Sequence, residues 1–257
     1  MKAIDINCDM GESFGAYRLG ADRDVMPHIT SANIACGFHA GDPLVMKDTV
    51  ELAHSHQVAV GAHPGLPDLM GFGRRSMVVS PAEVKAYTLY QLGALEAMAR
   101  AGGTRLYHVK AHGALYNLAA ADPALAQALA EAVALFDPAL VLVGLAGSCL
   151  IDAGRRAGLR VAQEVFADRG YQSDGSLVPR GEPGALLHDV REVAGRIRTL
   201  VRDGTLRTAG GSVLRVEAHT ICVHGDTPGA AGFVQGLRRE LENLEIPVLP
   251  MHRVVTA

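Results

Sequence analysis

The sequence predicts an α/β protein in which seven short parallel strands close into a barrel. Apolar runs of strand length alternate with segments that have helical spacing, as in folds whose parallel strands are buried on both faces. An Asp, His or Arg beside Gly follows most of these runs, and the loops after the C-terminal ends of such strands build active sites. The 257 residues are therefore expected to form one barrel domain, residues 1–257, with enzymatic activity.

Each predicted strand ends at a turn or at a polar cluster. The seven strands are Ala3 to Asn7, Thr30 to Cys36, Val58 to His63, Leu106 to His112, Leu140 to Gly147, Arg160 to Asp168 and Thr220 to Asp226. The segment Val213 to Val216 is expected to be an extra short strand or an irregular lead-in to the last one.

Capping residues followed by proline predict where four helices begin. The pairs are Asp42-Pro43, Ser80-Pro81, Asp122-Pro123 and Thr227-Pro228. The cap accepts a hydrogen bond from a backbone N–H, and proline at the first helical position loses none. Helices are predicted over Leu44 to His54, Pro81 to Gly102, Ala124 to Phe136, Ser148 to Ala157, Gly184 to Arg202 and Gly229 to Leu244. The polar segment Asp168 to Pro183 is expected to be a functional loop or lid.

Composition excludes several classes of function. A formal net charge of −3 without blocks of Lys or Arg argues against binding to nucleic acid or to an anionic membrane. No apolar run approaches the roughly 18 residues of a membrane span and no signal peptide is recognisable, so a cytoplasmic location is expected. The four cysteines form no CxxC pair and are expected to be reduced, mostly buried thiols. The partner is expected to be a small molecule or another protein, and a homo-oligomer stays open.

The first polar cluster contains Asn7, Asp9 and Glu12. Because residues i and i+2 of a strand share a face, Asn7 and Asp9 are expected to point the same way at the mouth of the barrel. The alternative is that Asp9 and Glu12 merely cap the following turn.

Histidines beside glycine or proline recur after four of the strands. They are His39, His63, His112 and His224, and Asp226 lies close to the last of them. Imidazole titrates near neutral pH and suits an acid, a base or a metal ligand. Four of the chain's eleven histidines at one end of the barrel are hard to assign to core packing alone.

Basic residues near the same end are candidates for binding an anion. Lys110 precedes His112 by two residues, and a second cluster combines Glu164, Asp168 and Arg169. Arg74 and Arg75 follow a glycine-rich turn, and arginine forks suit carboxylate recognition. The sequence contains neither a Walker A loop nor a GxGxxG fingerprint, and neither a GxSxG elbow nor an HExxH helix.

Eight strings, taken in order, resemble the LamB/YcsF family over essentially the whole length. They are DINCDMGESFG, NIACGFHAGDP, VGAHPGLPD, GFGRR, VKAHGALYN, FADRGY, LVPR and CVHGDTPGA. Several long motifs in sequence make this resemblance far more specific than one short pattern.

The resemblance implies ATP-dependent opening of the lactam of 5-oxo-L-proline to L-glutamate, with ADP and phosphate as the other products and Mg²⁺ accompanying the ATP. It also implies subunits B and C of 5-oxoprolinase as partners, and an irregular seven-stranded (β/α) barrel resembling that of polysaccharide deacetylases. Within it we assign catalysis to Asp9, His39, His63 and His112. We assign binding of substrate or ATP to Asn7, Glu12, Lys110, Arg169, His224 and Asp226.

Two alternatives stay open at this point. In the first, the chain is a metal-dependent amidohydrolase or deacetylase, in which Asp9 and two of His39, His63 and His112 hold a divalent metal. In the second, it is a non-catalytic binding subunit whose partners carry out the chemistry.

Overall fold

The barrel is built from seven parallel strands. The structure, a computed structural model, describes residues 3–179, 181–187, 190–223 and 230–255. The barrel strands are β1 (Asp5–Met10), β2 (Ser31–Ala35), β3 (Ala59–His63), β4 (His108–Lys110), β5 (Val141–Leu145), β6 (Arg160–Phe166) and β9 (Thr220–Val223), and they close in that order, with β9 beside β1. Two further strands, β7 (Thr205–Arg207) and β8 (Val213–Arg215), pair as an antiparallel hairpin outside the barrel. The predicted seven-stranded (β/α) barrel is confirmed.

Helices surround the barrel. They are α1 (Asp22–Val25), α2 (Pro43–Ser55), α3 (Pro81–Ala101), α4 (Gly113–Ala121), α5 (Pro123–Phe136), α6 (Cys149–Arg156), α7 (Val190–Asp203), α8 (Ala230–Asn243) and α9 (Met251–Val254). Among the described residues, no single helix is long and apolar enough to cross a membrane; α4 and α5 meet the length and composition test only as a pair, bent by 115°.

Three of the four helix caps predicted from cap-proline pairs are present in the described residues. Asp42 accepts hydrogen bonds from two backbone N–H groups of α2, and Asp122 does the same for α5. Ser80 and Glu83 form a complete capping box, and Gly102 ends α3 as expected. The fourth pair, Thr227-Pro228, lies outside the described residues.

Several boundaries predicted from the sequence are wrong. Strand β1 begins at Asp5 and continues to Met10, so Asn7 and Asp9 lie within the strand. Strand β4 ends at Lys110, because the chain turns at His112 into α4, a helix that the polar KAHGALYN string concealed. Helix α7 begins at Val190, since residues 184–187 form a turn and a β-bridge to the 168–179 segment. The short strand predicted at Val213 exists, but its partner β7 was missed.

The interior of the barrel is unusually polar. Alternate residues of the strands face inward, and the inward set includes buried Asp5, Asn7, Ser31, Asn33, His108, Lys110, Glu164 and Thr220. Buried polar groups are stable only when they are hydrogen-bonded, so this interior has to be a connected network. The main apolar core lies between the outer face of the strands and the helices, and a second, smaller apolar cluster of Val141, Val143, Ala162, Met251 and Val255 lies apart from it.

A glycine in β3 makes room for one of these polar side chains. A Cβ atom at Gly61 would lie 2.0 Å from Nε2 of His108, the residue paired with it on β4. Nε2 of His108 in turn lies 2.8 Å from Oδ1 of Asn33 on β2. Glycine at this position therefore lets the His108 ring cross above β3 and reach β2.

We expect Gly61→Ala to destabilise the fold by about 1–3 kcal/mol, because the new methyl group displaces the His108 ring in a packed interior. Gly93→Ala is the matched control. Gly93 lies on the exposed side of α3, where a Cβ meets nothing within 4 Å. Alanine is the better helix former, so the control gains up to about 1 kcal/mol. Urea denaturation of the two variants checks the opposite signs, and equal effects would contradict this account of Gly61.

Asp5 lies at the N-terminal end of the network and is fully buried. Its carboxylate accepts hydrogen bonds from the hydroxyls of Thr30 at 2.7 Å and Ser31 at 2.6 Å, and also from Thr220. Burial raises the pKa of Asp5 to about 6, although the three hydroxyl donors oppose the shift. The folded chain therefore holds a proton on Asp5 more tightly than the unfolded chain does.

The contribution of Asp5 to stability is expected to be full below pH 4 and to be lost as pH rises through about 6. A pKa raised from 3.8 to about 6 corresponds to roughly 3 kcal/mol between these limits. The difference in unfolding free energy between wild type and Asp5→Asn should fall by that amount from pH 4 to pH 7. Urea titrations across this range measure it, and a difference independent of pH would refute the assignment.

Candidate active site

A buried lysine forms the floor of the site. Lys110 ends β4, is 2% exposed, and places Nζ 3.0 Å from Oδ1 of Asp9 on β1 and 2.9 Å from Oε1 of Glu164 on β6. Nζ also donates to Oδ1 of Asn7 at 3.2 Å and contacts Sγ of Cys222 at 3.1 Å. Burial alone disfavours the ammonium charge, but the carboxylates outweigh it and hold the pKa of Lys110 well above its ordinary value. The lysine is therefore a fixed cation.

Two asparagines tie the carboxylates of this floor together. Asn7 donates from Nδ2 to Oε1 of Glu164 at 2.9 Å and to the hydroxyl of Thr220 at 2.7 Å. Asn33 donates from Nδ2 to Oδ1 of Asn7 at 2.7 Å and to Oδ1 of Asp9 at 2.9 Å. The predicted shared face of Asn7 and Asp9 is what allows Lys110 and Asn33 to contact both.

Three histidines and a glutamate lie above Asp9, and we call them the histidine cluster: Glu12, His39, His63 and His112. Nε2 of His63 lies 3.3 Å from Oδ2 of Asp9 and 3.0 Å from Nδ1 of His112. Oε1 of Glu12 lies 3.5 Å from Nε2 of His39 and 3.5 Å from Nδ1 of His112. The His39 and His112 rings are stacked, with centroids 3.7 Å apart and planes within 4°.

Backbone carbonyls fix the orientation of two of these rings. Nδ1 of His63 lies 2.7 Å from the carbonyl oxygen of Lys110, and Nε2 of His112 lies 2.8 Å from that of Phe72. A carbonyl only accepts, so both of these nitrogens carry hydrogen. In the neutral rings, the lone pairs are therefore on Nε2 of His63 and Nδ1 of His112, the two atoms that face each other.

Burial favours the neutral form of the two stacked rings. It lowers the pKa of His112 to about 3, with the neighbouring His63 contributing. Burial, followed by the neighbouring His112 and His63, also holds the pKa of His39 well below its ordinary value. Both ring nitrogens of His39 make no hydrogen bond to any described residue.

Glycines pack the backbone directly against His39. A Cβ at Gly65 would lie 2.6 Å from Nδ1 of His39, and one at Gly73 would lie 2.6 Å from its Cβ atom. Gly73 also has φ of +63°, a conformation that favours glycine. These glycines belong to the AHPG and GFG turns, so one function of the turns is to position histidines.

A cavity of about 820 Å³ opens above this floor, within the usual size of small-molecule sites. Asp9, His63, Lys110 and His112 lie on its barrel side. The opposite wall comes from the 174–179 segment and from residues 145–149, which lead from the end of β5 to the start of α6. His39 and Glu12 do not line it and lie behind the other histidines.

The predicted loop after β6 closes one side of the cavity. Arg169 lines the cavity but donates from Nε to the carbonyl of Ala185 at 3.1 Å and from Nη2 to that of Val178 at 2.7 Å. These bonds hold the two ends of the loop together. Arg74 lines the other side, with its guanidinium 4.8 Å from the centroid of Phe72.

The structure brings eight of the ten predicted site residues to one end of the barrel. Asn7, Asp9, Lys110 and the histidine cluster are in mutual contact, Arg169 lies in the cavity wall, and His224 and Asp226 lie outside the described residues. Sequence reasoning missed Asn33 and His108. The sequence does contain a pattern that indicates them, because polar residues occur at every second position of both strands. These are Ser31 and Asn33 in one strand, and His108, Lys110 and His112 in the other.

The comparisons with known proteins agree with this architecture. The sequence profile of the LamB/YcsF family matches residues 4–256. The chain belongs to the LamB/YcsF family. All of the described site residues of this LamB/YcsF protein fall within the matched range.

Curated relatives and a solved structure cover nearly the whole of this LamB/YcsF chain. It is 55% identical over 246 residues to the A subunit of 5-oxoprolinase from Bordetella parapertussis, covering 96% of this chain and 98% of the relative. It is 56% identical over 248 residues to the protein of the same name from Geobacillus kaustophilus, covering 96% of each. The crystal structure of the lactam utilization protein from Thermus thermophilus matches with a TM-score of 0.91 at 47% identity, covering 97% of this chain and 99% of that one.

We expect Lys110→Met to destabilise the chain by about 3–5 kcal/mol, because it leaves Asp9 and Glu164 buried without their cation. Glu164→Gln in the same background should recover part of that loss, so the two effects are not additive. Lys47→Met, at an exposed lysine of α2, is the control and should change stability little. Denaturant unfolding of the single and double variants measures the coupling, and strict additivity would show that the contact contributes nothing.

Proposed function

We propose that this chain is the A subunit of 5-oxoprolinase and takes part in the ATP-dependent opening of 5-oxo-L-proline to L-glutamate. The observation that carries the proposal is the likeness to relatives of that name, which extends over 96% of this chain at about 55% identity. The cavity supports it, since acid, base and cationic groups meet at the floor of a space of small-molecule size.

The chemistry requires an activated amide. A five-membered lactam is a resonance-stabilised amide that water attacks slowly, and transfer of a phosphoryl group from ATP to its carbonyl oxygen would make the ring carbon a better electrophile. A base then deprotonates the attacking water and an acid protonates the departing ring nitrogen, so that the C–N bond breaks and leaves an acyl phosphate; a second water hydrolyses this to L-glutamate and phosphate. Mg²⁺ bound to the nucleotide, together with nearby cations, would stabilise the charge on the phosphoryl group.

Asp9 is the residue best placed to act as the base. Its side chain is 16% exposed, the cavity reaches it, and Lys110 and Asn33 both hold Oδ1. Oδ2 then remains on the side of His63, which would receive or return a proton. His39, which the sequence assigns to catalysis, lies behind His112 and would act through it.

The anionic groups of substrate and nucleotide need cations at the cavity wall. Lys110 is surrounded by two carboxylates, and two nitrogens of the Arg169 guanidinium donate to loop carbonyls. Arg74 is exposed and lines the cavity with its guanidinium over the Phe72 ring, and we add it as a candidate for binding a substrate carboxylate or a phosphate. It joins the predicted candidates Lys110 and Arg169.

We propose subunits B and C as the partners of this chain and the cytosol as its compartment. The name of the relatives describes one subunit among several, which implies an assembly of different chains. All four cysteines are free thiols, three of them buried as predicted, and thiols persist in a reducing compartment.

A metal-dependent amidohydrolase is the alternative that a specific observation favours, namely the histidine cluster beside Asp9. The two proposals differ in their need for ATP. An amidohydrolase of that kind would open the lactam, or a related amide, without nucleotide.

Glutamate release from 5-oxoproline tests the proposal. The chain would be assayed alone and together with subunits B and C, with and without Mg²⁺ and ATP. We expect release only in the complete mixture, and a loss of at least a hundredfold with Asp9→Asn, in keeping with the usual 10²–10⁴-fold contribution of a general base.

Asp24→Asn is the matched control, because Asp24 is exposed on α1, away from the cavity. It should leave turnover unchanged. Release without ATP would support the amidohydrolase instead. Unchanged turnover with Asp9→Asn in an assembled complex would give this chain a binding role only, and no glutamate from a folded complex would end the 5-oxoprolinase assignment.

A further inference from the structure

The histidine cluster has an arrangement that its own hydrogen bonds do not explain. Nε2 of His63 and Nδ1 of His112 lie 3.0 Å apart, while the opposite nitrogen of each ring donates to a backbone carbonyl. Two neutral rings held in this way direct lone pairs at each other. Such a contact is favourable only if something positive lies between the two nitrogens.

A proton and a metal ion are the two candidates for that position. A proton would account for the contact between His63 and His112, and Asp9 lies close enough to favour it. It would not account for His39, whose two buried nitrogens have no hydrogen bond within the described part of the chain. Nor would it account for the convergence of a fourth group, since one ligand atom from each of Glu12, His39, His63 and His112 lies within 4.8 Å of all the others.

We propose that the histidine cluster binds one divalent transition metal ion of the zinc class, with Glu12, His63 and His112 as ligands and His39 as the fourth. Three nitrogens and one carboxylate oxygen form a set that zinc prefers. Tetrahedral ligands with bonds of about 2.0–2.1 Å lie roughly 3.3 Å apart. The observed ligand separations are 3.0 Å for His63 and His112 and 3.5 Å for Glu12 with each of His39 and His112.

The surroundings of the cluster are those of a metal site. The carbonyls of Lys110 and Phe72 fix the tautomers of His63 and His112, as the outer hydrogen bonds of metal-bound imidazoles do. Stacked rings 3.7 Å apart cannot both aim their in-plane lone pairs at one ion, so the His39 ring has to tilt away from His112 when the ion binds. No hydrogen bond to a described residue opposes that tilt.

The ion would be reached from the cavity, because His63 and His112 line it and Asp9 adjoins them. With four protein ligands, a zinc-class ion at this position would polarise a water or an amide carbonyl only by taking it as a fifth ligand. Its binding is independent of the reaction, whereas a part in opening the lactam rests on the proposed function.

Metal binding to the full-length chain tests the proposal. The purified chain is stripped with a chelator, checked for its fold by circular dichroism and titrated with Zn²⁺ in a calorimeter. A parallel titration uses Co²⁺, whose visible absorption reports tetrahedral nitrogen and oxygen ligands. We expect one equivalent of each ion per chain, and a higher melting temperature in the loaded form, since an ion that binds only the folded state stabilises it.

Glu12→Gln keeps the size of the side chain but removes a charged ligand, and His112→Asn removes an imidazole. Each should weaken Zn²⁺ binding at least tenfold and change the Co²⁺ spectrum. His54→Gln, at an exposed histidine at the end of α2, controls for adventitious binding and should change neither. If Glu12→Gln and His112→Asn keep wild-type affinity, or if the folded wild type binds neither ion, the proposal is wrong.

The outcomes also separate this proposal from the proposed function. Zn²⁺ binding without glutamate release in the complete mixture leaves the metal site intact and removes the 5-oxoprolinase assignment. ATP-dependent glutamate release by a chain that binds neither Zn²⁺ nor Co²⁺ supports the 5-oxoprolinase assignment and removes the metal site.

Discussion

The ammonium group of Lys110, held inside the barrel between the carboxylates of Asp9 and Glu164, is the contact on which the rest of the site depends. A charge at this depth is stable only with partners, and these come from β1 and β6, which approach β4 from other parts of the barrel wall. The contact thus joins three strands through their side chains. It also fixes Asp9, because Oδ1 belongs to Lys110 and Asn33 while Oδ2 faces His63.

The polar side chains inside the barrel restrict which residues can lie next to them. Rings as large as imidazole fit beside the strands only where the neighbouring residue has no side chain, as at Gly61 against His108 and at Gly65 and Gly73 against His39. Glycine at these three positions therefore makes room for histidine side chains. At these positions backbone, and not a flexible side chain, contacts the histidines.

Much of this was accessible from the sequence, and the limits have physical reasons. Apolar runs and cap-proline pairs predicted the barrel and α2, α3 and α5, since these signals are local. The pairing of Lys110 with Glu164 was not accessible, because the two lie on strands that meet only when the barrel forms; the sequence groups Glu164 with its neighbours Asp168 and Arg169 instead. Helix α4 was missed because its first turn carries the Gly113 that reads as a loop, and that glycine has φ of +52°.

The charged groups of the floor and those of the histidine cluster have different roles in the site. Lys110 neutralises carboxylates that belong to the protein, so its charge is largely compensated within the floor, and the loop carbonyls already hold two nitrogens of Arg169. Under the proposed function, a substrate carboxylate or a nucleotide phosphate in the cavity would find positive charge at Arg74, at an ion bound by the histidine cluster, or on another chain. Among the described residues, the most deeply buried cation of the site therefore serves the barrel itself.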